Sequence, residues 1–324
     1  MSKPLLMRIF AAVLCFAATA TLAQDKKPLV VGWGAYADVP QISVAVDKNM
    51  WKDQGLEVKV VPFNSGRESF EALIGGQLDF AIVAEFPAVI GAMRAQKFGI
   101  LASLSRYRAN RIVGTDKAGM QSVKDLAGRK IGTTVGTNIH FMLDQALKGA
   151  GVTAEIVNVA PPDIVPALVR GDVEAATMFP NFYASAKRAL GDRYRDIPVK
   201  EYATTFVLLA SPEVMEKRPE VVKQFLAAML KGEAMVLTNP GESQEAVARV
   251  VGKALPLDVI KAGWPEYEFR IQLDRGLLDL LVKEGEWIRD RGMIKNVDPT
   301  AALFRGYFRD APLKAVAAER VQLP

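Results

Sequence analysis

The sequence has almost no cysteine or histidine. Cys15 and His140 are the only residues of these types among 324. This scarcity excludes a framework of disulfide bonds and a zinc site with the usual spacing of Cys and His ligands. The formal net charge is +5, and its 41 basic and 36 acidic residues are interleaved, with basic runs no longer than pairs. We therefore expect no nucleic-acid partner.

Long apolar runs are also scarce, and the one that stands out lies at the N-terminus. The basic residues Lys3 and Arg8 precede an apolar stretch over 9–20, and small residues follow that stretch. This order predicts a secretory signal peptide over 1–23, cleaved near Ala23, and a periplasmic location. A membrane anchor is the alternative, but the run is shorter than the ~20 residues that span a bilayer. Cleavage would remove Cys15 and lower the net charge to about +3.

The remaining chain repeats one order of predicted elements. Three strand–loop–helix units over 28–96 recur over 129–182. Residues 71–81 align with 166–176, with identities at Ala72, Leu73, Gly76 and Ala81 in the first segment. This order is typical of parallel sheets covered by helices, so the sequence predicts an α/β protein.

Two extended segments connect the repeats and divide the chain into two similar lobes. They cover 100–115 and 199–211, and they predict a hinge of two crossings beside a central cleft. The predicted units are lobe 1 over 28–112 plus 205–324, and lobe 2 over 113–204. Helices are predicted over 212–237, 240–255 and 271–291.

Four segments carry a resemblance to a known family. They are Asp47–Val58, Ala72–Ala81, Ser122–Gly132 and Leu168–Ala176. With the export signal and the repeat, the chain resembles the periplasmic solute-binding proteins of ABC importers. More narrowly, it resembles the sulfonate, taurine, nitrate and thiamine-pyrimidine-precursor (SsuA/THI5-like, NMT1-like) receptors. The resemblance implies a type II periplasmic binding protein fold and a cleft that closes on a small solute. It also implies delivery to an ABC permease with its ATPase subunit, no cofactor and no metal, and a monomeric protein.

In such receptors the ligand contacts lie on six loop tips at the strand ends. Carried over to this chain, they fall on Tyr36, Asp38, Ser65, Gly66, Arg67, Glu85, Phe86, Gly136, Thr137, Asn138, His140, Pro161, Phe179 and Asn181. The family often has a Trp-Glu-Pro-like segment where this chain has Met178–Asn181. It often has small residues where this chain has Glu85 and Phe86.

Several of these residues have a plainer interpretation as well. Thr137 is expected to cap a helix whose N-terminus binds an anion, or to be an ordinary cap. Arg67 could pair with a carboxylate or sulfonate, or be a solvated surface residue. Glu85 could accept a ligand N–H or cap its own helix. His140 could line the site or lie on a helix surface. The aromatic residues could stack on a ligand or belong to the core; they are Tyr36, Phe86 and Phe179.

The sequence favours a receptor over an enzyme. We expect a small organic anion or zwitterion as the solute, of the sulfonate, nitrate, carboxylate or pyrimidine-like class. One alternative is an enzyme on the same fold, of the pyrimidine-synthesising or menaquinone-pathway type. Such enzymes are as a rule cytoplasmic, and a mature chain without cysteine cannot carry the cysteine-rich motif of the pyrimidine-synthesising branch. The other alternative is a receptor that feeds a sensor kinase.

Overall fold

The computed structural model describes residues 27–34, 37–115, 119–252 and 255–323. The predicted signal peptide and Tyr36 lie outside the described residues. Within these ranges the chain forms two β-sheets covered by helices, which confirms the predicted α/β class. No helix in the described part of the chain is long and apolar enough to cross a bilayer.

The strands are β1 (Leu29–Trp33), β2 (Val58–Pro62), β3 (Phe80–Ala84), β4 (Gly99–Tyr107), β5 (Arg111–Thr115), β6 (Lys130–Thr133), β7 (Glu155–Asn158), β8 (Ala175–Thr177), β9 (Tyr194–Pro198), β10 (Thr204–Ala210), β11 (Tyr267–Asp274) and β12 (Val321–Gln322). The helices are α1 (Pro40–Asp47), α2 (Met50–Asp53), α3 (Gly66–Ile74), α4 (Phe86–Met93), α5 (Asn138–Ala150), α6 (Ile164–Arg170), α7 (Tyr183–Leu190), α8 (Pro212–Lys217), α9 (Pro219–Thr238), α10 (Pro240–Val251), α11 (Leu257–Gly263), α12 (Arg275–Asp290), α13 (Ala301–Arg305) and α14 (Ala311–Val316).

The two sheets share one local topology. The seven-stranded sheet has the order β12-β11-β4-β10-β3-β1-β2, and the five-stranded sheet has the order β7-β6-β8-β5-β9. β1 pairs in parallel with β2 and β3, as β6 does with β7 and β8. An antiparallel strand, β10 or β5, then lies beside β3 or β8. The repeat read from the sequence is therefore present in the strand order of both sheets.

We name the part of the chain built on the seven-stranded sheet lobe 1 and the part built on the five-stranded sheet lobe 2. The crossings between them are 108–110, from β4 to β5, and 199–203, from β9 to β10. Asn110 joins the crossings, because its side-chain amide donates to the carbonyls of Tyr107 and Tyr202, both at 3.2 Å. The Thr204 hydroxyl donates to Asn110 Oδ1, also at 3.2 Å. β5 begins at Arg111, two residues before the boundary predicted for lobe 2.

Three stacked rings mark the core of lobe 1. Phe225 on α9 lies between Trp51 and Phe80, with ring centroids 4.7 and 4.4 Å apart. All three side chains are buried, so the long helix α9 is held against both α2 and the sheet.

Several predicted elements differ from those observed. The helix predicted over 271–291 begins as strand β11, in which Phe269, Ile271 and Leu273 are buried at every second position. Asp274 then caps α12 by accepting from the Leu277 N–H at 2.9 Å. Burial at every second residue is typical of a strand, so the prediction of a helix over the first residues of this segment was wrong. In the first strand–loop–helix unit the sequence predicts one helix from Pro40 to about Lys52, but the observed helix is divided at Asn49, which is left-handed with φ 54°.

Candidate functional site

A cavity of about 280 Å³ lies between the two lobes. Its lining includes Trp33 and Ala84 at the ends of β1 and β3, and Phe179 beyond β8. The start of α5 and residues at both crossings complete it. The cavity therefore occupies the carboxyl ends of the parallel strands, where an open α/β sheet places its ligands.

The structure brings together eight of the residues that the sequence predicts for the site. Those that line the cavity are Asp38, Ser65, Gly66, Arg67, Thr137, Asn138, Phe179 and Asn181. Those that do not line it are Glu85, Phe86, Gly136, His140 and Pro161. Tyr36 lies outside the described residues.

The start of α3 supplies one polar edge of the cavity. Ser65 is buried and caps the helix, because its hydroxyl accepts from the Glu68 N–H at 3.3 Å. The following Gly66 packs against β3, where an added Cβ would lie 3.1 Å from the Cβ of Val83. Arg67 extends from this turn across the cleft and donates to the Val135 carbonyl at 3.4 Å. Arg67 of lobe 1 thus contacts the loop that precedes α5 in lobe 2.

The start of α5 supplies the opposite edge. Thr137 does not cap the helix as predicted, because its hydroxyl donates to the Thr134 carbonyl at 2.6 Å. Its side chain therefore leaves the first-turn N–H groups of α5 to other acceptors. Asn138 donates through its side-chain amide to the Thr204 hydroxyl at 3.2 Å, which connects α5 to the second crossing. Gly136 has φ +80°, a conformation that favours glycine in this loop.

Asp38 is the buried acid of the lobe 1 wall. Only 5% of its surface is exposed, and its Oδ1 has no hydrogen-bond partner among the described residues. Burial raises the pKa of Asp38 to about 7, although the nearby Trp33 indole N–H opposes that rise. The indole Nε1 of Trp33 is itself buried and has no hydrogen-bond partner in the described part of the chain.

A cluster of ionic and phenolic groups forms the cavity wall at the first crossing. Arg111 Nη2 lies 2.6 Å from Glu266 and 3.1 Å from the Tyr107 hydroxyl, which in turn donates to Glu266 at 2.9 Å. Arg111 Nη1 lies 3.6 Å from Asp196 on β9, and the guanidinium stacks over the Tyr183 ring at 4.7 Å. The cluster therefore joins β5 of lobe 2 to Tyr107 and Glu266 of lobe 1.

Aromatic rings provide much of the cavity surface. Eight line it, namely Trp33, Tyr107, Phe179, Tyr183, Tyr194, Phe206, Trp264 and Tyr267. Tyr107 and Tyr267 contact each other with ring centroids 4.7 Å apart, and Trp264 contacts Phe269 at 4.8 Å. Of these eight, only Phe179 was predicted from the sequence. Tyr107 and Arg111 lie in the segment 100–115, which was predicted as a connection between the lobes.

Glu85 serves a different part of the molecule from the one predicted. It is fully buried, accepts from the Thr205 N–H at 2.7 Å and accepts from the Tyr202 hydroxyl. Its side chain does not cap α4. Glu284 on α12 is buried beside it, and burial together with the Glu85 carboxylate raises the pKa of Glu284 well above its usual range. Burial also raises the pKa of Glu85. Burial and mutual repulsion of the two carboxylates both favour a proton on this pair.

The other residues outside the cavity pack at the contact between α4, α5 and α12. Phe86 lies 6.1 Å from Phe141 and 5.7 Å from Trp287, measured between ring centroids. His140 meets the Trp287 ring edge to face at 5.3 Å, and burial and Arg291 lower the pKa of His140. Phe86 is thus a core residue, and His140 belongs to the contact between the lobes. Pro161 is buried in the turn after β7.

Residues of both lobes line the cavity, so a solute bound there could be contacted from both sides. In the described part of the chain, no group of three or more His, Cys, Asp or Glu residues is placed to hold a metal ion. Ionic groups, amide and hydroxyl groups and aromatic faces all reach the lining. Such a mixture suits a small polar molecule with an apolar body.

The sequence matches one family model, and it also matches several curated proteins. The model is described as "NMT1/THI5 like" and covers residues 37–243. The taurine-binding periplasmic protein of Escherichia coli (strain K12) is 26% identical over 221 residues, which are 65% of this chain and 67% of that protein. A 4-amino-5-hydroxymethyl-2-methylpyrimidine phosphate synthase of Aspergillus parasiticus is 22% identical over 244 residues, 69% of this chain and 70% of that protein.

Solved structures share the fold. The alkanesulfonate-binding protein SsuA from Xanthomonas axonopodis pv. citri, solved with MOPS bound, has a TM-score of 0.75 at 16% identity. The match covers 87% of this chain and 98% of that one. The periplasmic aliphatic sulphonate binding protein SsuA from Escherichia coli has a TM-score of 0.73 at 20% identity, over 86% of this chain and 96% of that one. The periplasmic binding protein fold that the resemblance implied is confirmed.

Proposed function

We propose that this chain, which belongs to the NMT1/THI5-like family, is an exported receptor that captures a small solute by closure of its two lobes. The solute is a small organic anion or zwitterion, of the sulfonate, nitrate, carboxylate or pyrimidine-like class. The mature chain, cleaved near Ala23, acts as a monomer in the periplasm. It delivers the solute to an ABC permease that works with a separate ATPase subunit. The units that close are lobe 1 and lobe 2.

The observation that carries this proposal is the cavity between the lobes. Arg67 from lobe 1 and the start of α5 from lobe 2 line the same space, and Arg67 already contacts Val135 across it. An anion placed there would meet a guanidinium and the positive end of a 13-residue helix. Lys187 on α7, an exposed lysine, also reaches the lining and adds positive charge. The curated taurine-binding relative and the sulfonate-binding proteins of the same fold support this solute class.

An enzyme on the same fold is the second candidate, and the relative from Aspergillus parasiticus is the observation that favours it. The content of the cavity favours binding instead. The single histidine, His140, does not line it, and Ser65 uses its hydroxyl to cap α3. No nucleophile of the described lining therefore has an imidazole base beside it.

A thermal-shift screen of the mature chain tests this function. The panel contains taurine, straight-chain alkanesulfonates, nitrate, aromatic carboxylates, aromatic sulfonates, amino acids and pyrimidines. A solute at 100 times its Kd stabilises the native state by about 2.7 kcal/mol, which is a shift of several degrees. We expect at least one anion or zwitterion to produce that shift, and mass spectrometry to recover it unchanged. No shift with the whole panel, or conversion of the solute, would contradict a receptor role.

Variants of the two cleft edges provide the control for that screen. Arg67→Ala and Thr137→Ala should each weaken binding of the solute found, with little change in the melting temperature of the free protein. Lys217→Ala is a matched control, because Lys217 lies on α8, away from the lining, and pairs with Glu213 on the surface. Equal affinity in all three variants would place the site elsewhere.

A further inference from the structure

The wall of the cavity contains one acid, Asp38, that forms no ion pair with any described residue. Only 5% of the surface of Asp38 is exposed, and its Oδ1 has no hydrogen-bond partner in the described part of the chain. No lysine or arginine among the described residues forms an ion pair with it. The two other acids of the lining, Glu266 and Asp196, both pair with Arg111. Among the three acids of the described lining, Asp38 is therefore the one that forms no ion pair, and its Oδ1 can still accept a hydrogen bond.

The backbone fixes Asp38 in this position. The Ser105 hydroxyl on β4 donates to the Asp38 carbonyl, and the next residue but one, Pro40, begins α1. Val39 is fully buried between them. The backbone of Asp38 is therefore held between β4 and the start of α1, and the side chain lines the cavity from this position.

Flat aromatic surfaces surround this acceptor. Trp33, at the end of β1, is 1% exposed and lies close enough to Asp38 to affect its ionisation. Tyr267 lines the same cavity as Asp38 and Trp33. Tyr267 in turn contacts Tyr107 at 4.7 Å. Rings of this kind favour an aromatic solute, because aromatic groups gain from offset-stacked or edge-to-face contact with one another.

An unpartnered buried acceptor selects for a donor. A buried polar group that lacks a partner costs free energy, and a ligand N–H that reaches it removes this cost. A ligand without a donor leaves the cost in place, so the site discriminates strongly against it. A second anionic group near Asp38 would be repelled, which places the acid of a zwitterion at the Arg67 and α5 edge.

We propose that Asp38 is a specificity-determining acceptor, and that the solute is a planar aromatic molecule with an N–H group that donates to Asp38. This inference rests on the proposed receptor function and specifies the solute class of the same cavity. An acidic group elsewhere on the ring would be held by Arg67 and the start of α5. An alkanesulfonate without a ring or a donor is then a weak ligand.

Calorimetric binding with pairs of compounds of equal shape tests this assignment. One pair is 4-aminobenzenesulfonate and 4-methylbenzenesulfonate, and the other is 4-aminobenzoate and 4-methylbenzoate. Taurine, which has an amino group, and ethanesulfonate, which has none, are the comparison compounds without a ring. We expect one of the amino-aromatic compounds to bind the wild-type chain about tenfold or more tightly than its methyl partner, and more tightly than either compound without a ring.

Asp38→Asn then tests the role of the acceptor. The variant should bring the amino and methyl affinities to within about threefold of each other, mainly by weakening the amino compound. Asp53→Asn is the matched control, because it removes an acid from the exposed surface of α2 and should keep the wild-type preference. Circular dichroism at the same concentration checks that both variants are folded. The comparison of wild-type affinities does not depend on a variant, so it stands even if Asp38→Asn unfolds.

Three results would overturn the assignment. They are equal wild-type affinity for both members of each pair, a preference that survives Asp38→Asn, and tighter binding of taurine or ethanesulfonate than of every aromatic compound. The last result would leave the receptor function intact, because a solute still binds. If none of these compounds binds and the wider panel of solutes also gives no ligand, the receptor function fails with it.

Discussion

Arg111 on β5 pairs with Glu266 in the turn before β11 at 2.6 Å, and this contact ties lobe 2 to lobe 1 where the chain first crosses between them. The Tyr107 hydroxyl bonds to both groups, at 3.1 Å from Arg111 and 2.9 Å from Glu266. Because the arginine side chain is only 19% exposed, removal of either partner leaves a charge in a poorly solvated place.

Arg111→Ala should lower the free energy of unfolding by about 2 kcal/mol, because it strips Glu266 of its cation and removes the stacking on Tyr183. Urea denaturation monitored by circular dichroism measures the change. The control is Arg108→Ala, which removes a pair with Glu268 whose partners are 62% and 43% exposed. That variant should lose less than about 0.5 kcal/mol. Equal losses in the two variants would show that the cluster is no more than a surface pair.

The buried pair of acids should make the protein less stable as the pH rises. The pKa of Glu284 is well above its usual range and that of Glu85 is also raised, so the folded state keeps a proton that the unfolded chain loses. A raised pKa contributes stability below the unfolded value and loses it as the pH rises through the folded value. Glu284→Gln, which cannot ionise, should flatten this decline in denaturant titrations between pH 5 and 9. An unchanged slope would mean that the pair does not hold the proton.

Glu85→Ala should be much more damaging than Glu284→Gln. It leaves the Thr205 N–H and the Tyr202 hydroxyl without their buried acceptor, at a cost of about 3 kcal/mol. The melting temperature of the variant should fall by several degrees. Because Tyr202 lies in the second crossing, its loss of a partner should also loosen that segment, which hydrogen exchange would detect as faster exchange over 199–203. Similar melting temperatures for the two variants would contradict the assigned contacts.

Asp38 should also affect stability in the absence of solute. Burial raises the pKa of Asp38 to about 7, against an unfolded value of 3.8, so the protonated form is the one that stabilises the fold. The stability difference between wild type and Asp38→Asn should therefore shift in favour of the variant by on the order of 3 kcal/mol as the pH rises from 4 to 8. Denaturation of both proteins across this range gives the difference. A difference that stays constant with pH would mean that Asp38 is ionised throughout.

The sequence predicted the elements whose signals are local. The repeated order of strand, loop and helix and the match of 71–81 with 166–176 are read from short windows, and the two sheets follow from them. The strand β11 was missed because its apolar residues run directly into those of α12, and only Asp274, the cap, separates them. The division of the first predicted helix depends on the left-handed Asn49, which no periodicity reveals.

The site was predicted where loop tips follow predicted strands, as at Asp38, Arg67 and Asn138. It was missed where tertiary contacts bring distant residues together, since Arg111 and Glu266 are 155 positions apart. Glu85 was misplaced for the same reason, because its partner Tyr202 lies in the second crossing and its partner Thr205 lies at the start of β10. Loop position alone does not tell whether a side chain turns to the cavity or to the core.

The most direct test of the receptor function is calorimetric titration of the wild-type chain and of the Arg67→Ala/Thr137→Ala double variant with the solute that gives the largest thermal shift. We predict one binding site per chain in the wild type and an affinity at least tenfold lower in the double variant, which should still melt cooperatively. Equal affinity in a folded double variant, or the absence of a binding site in the wild type, would contradict capture of a solute between the two lobes.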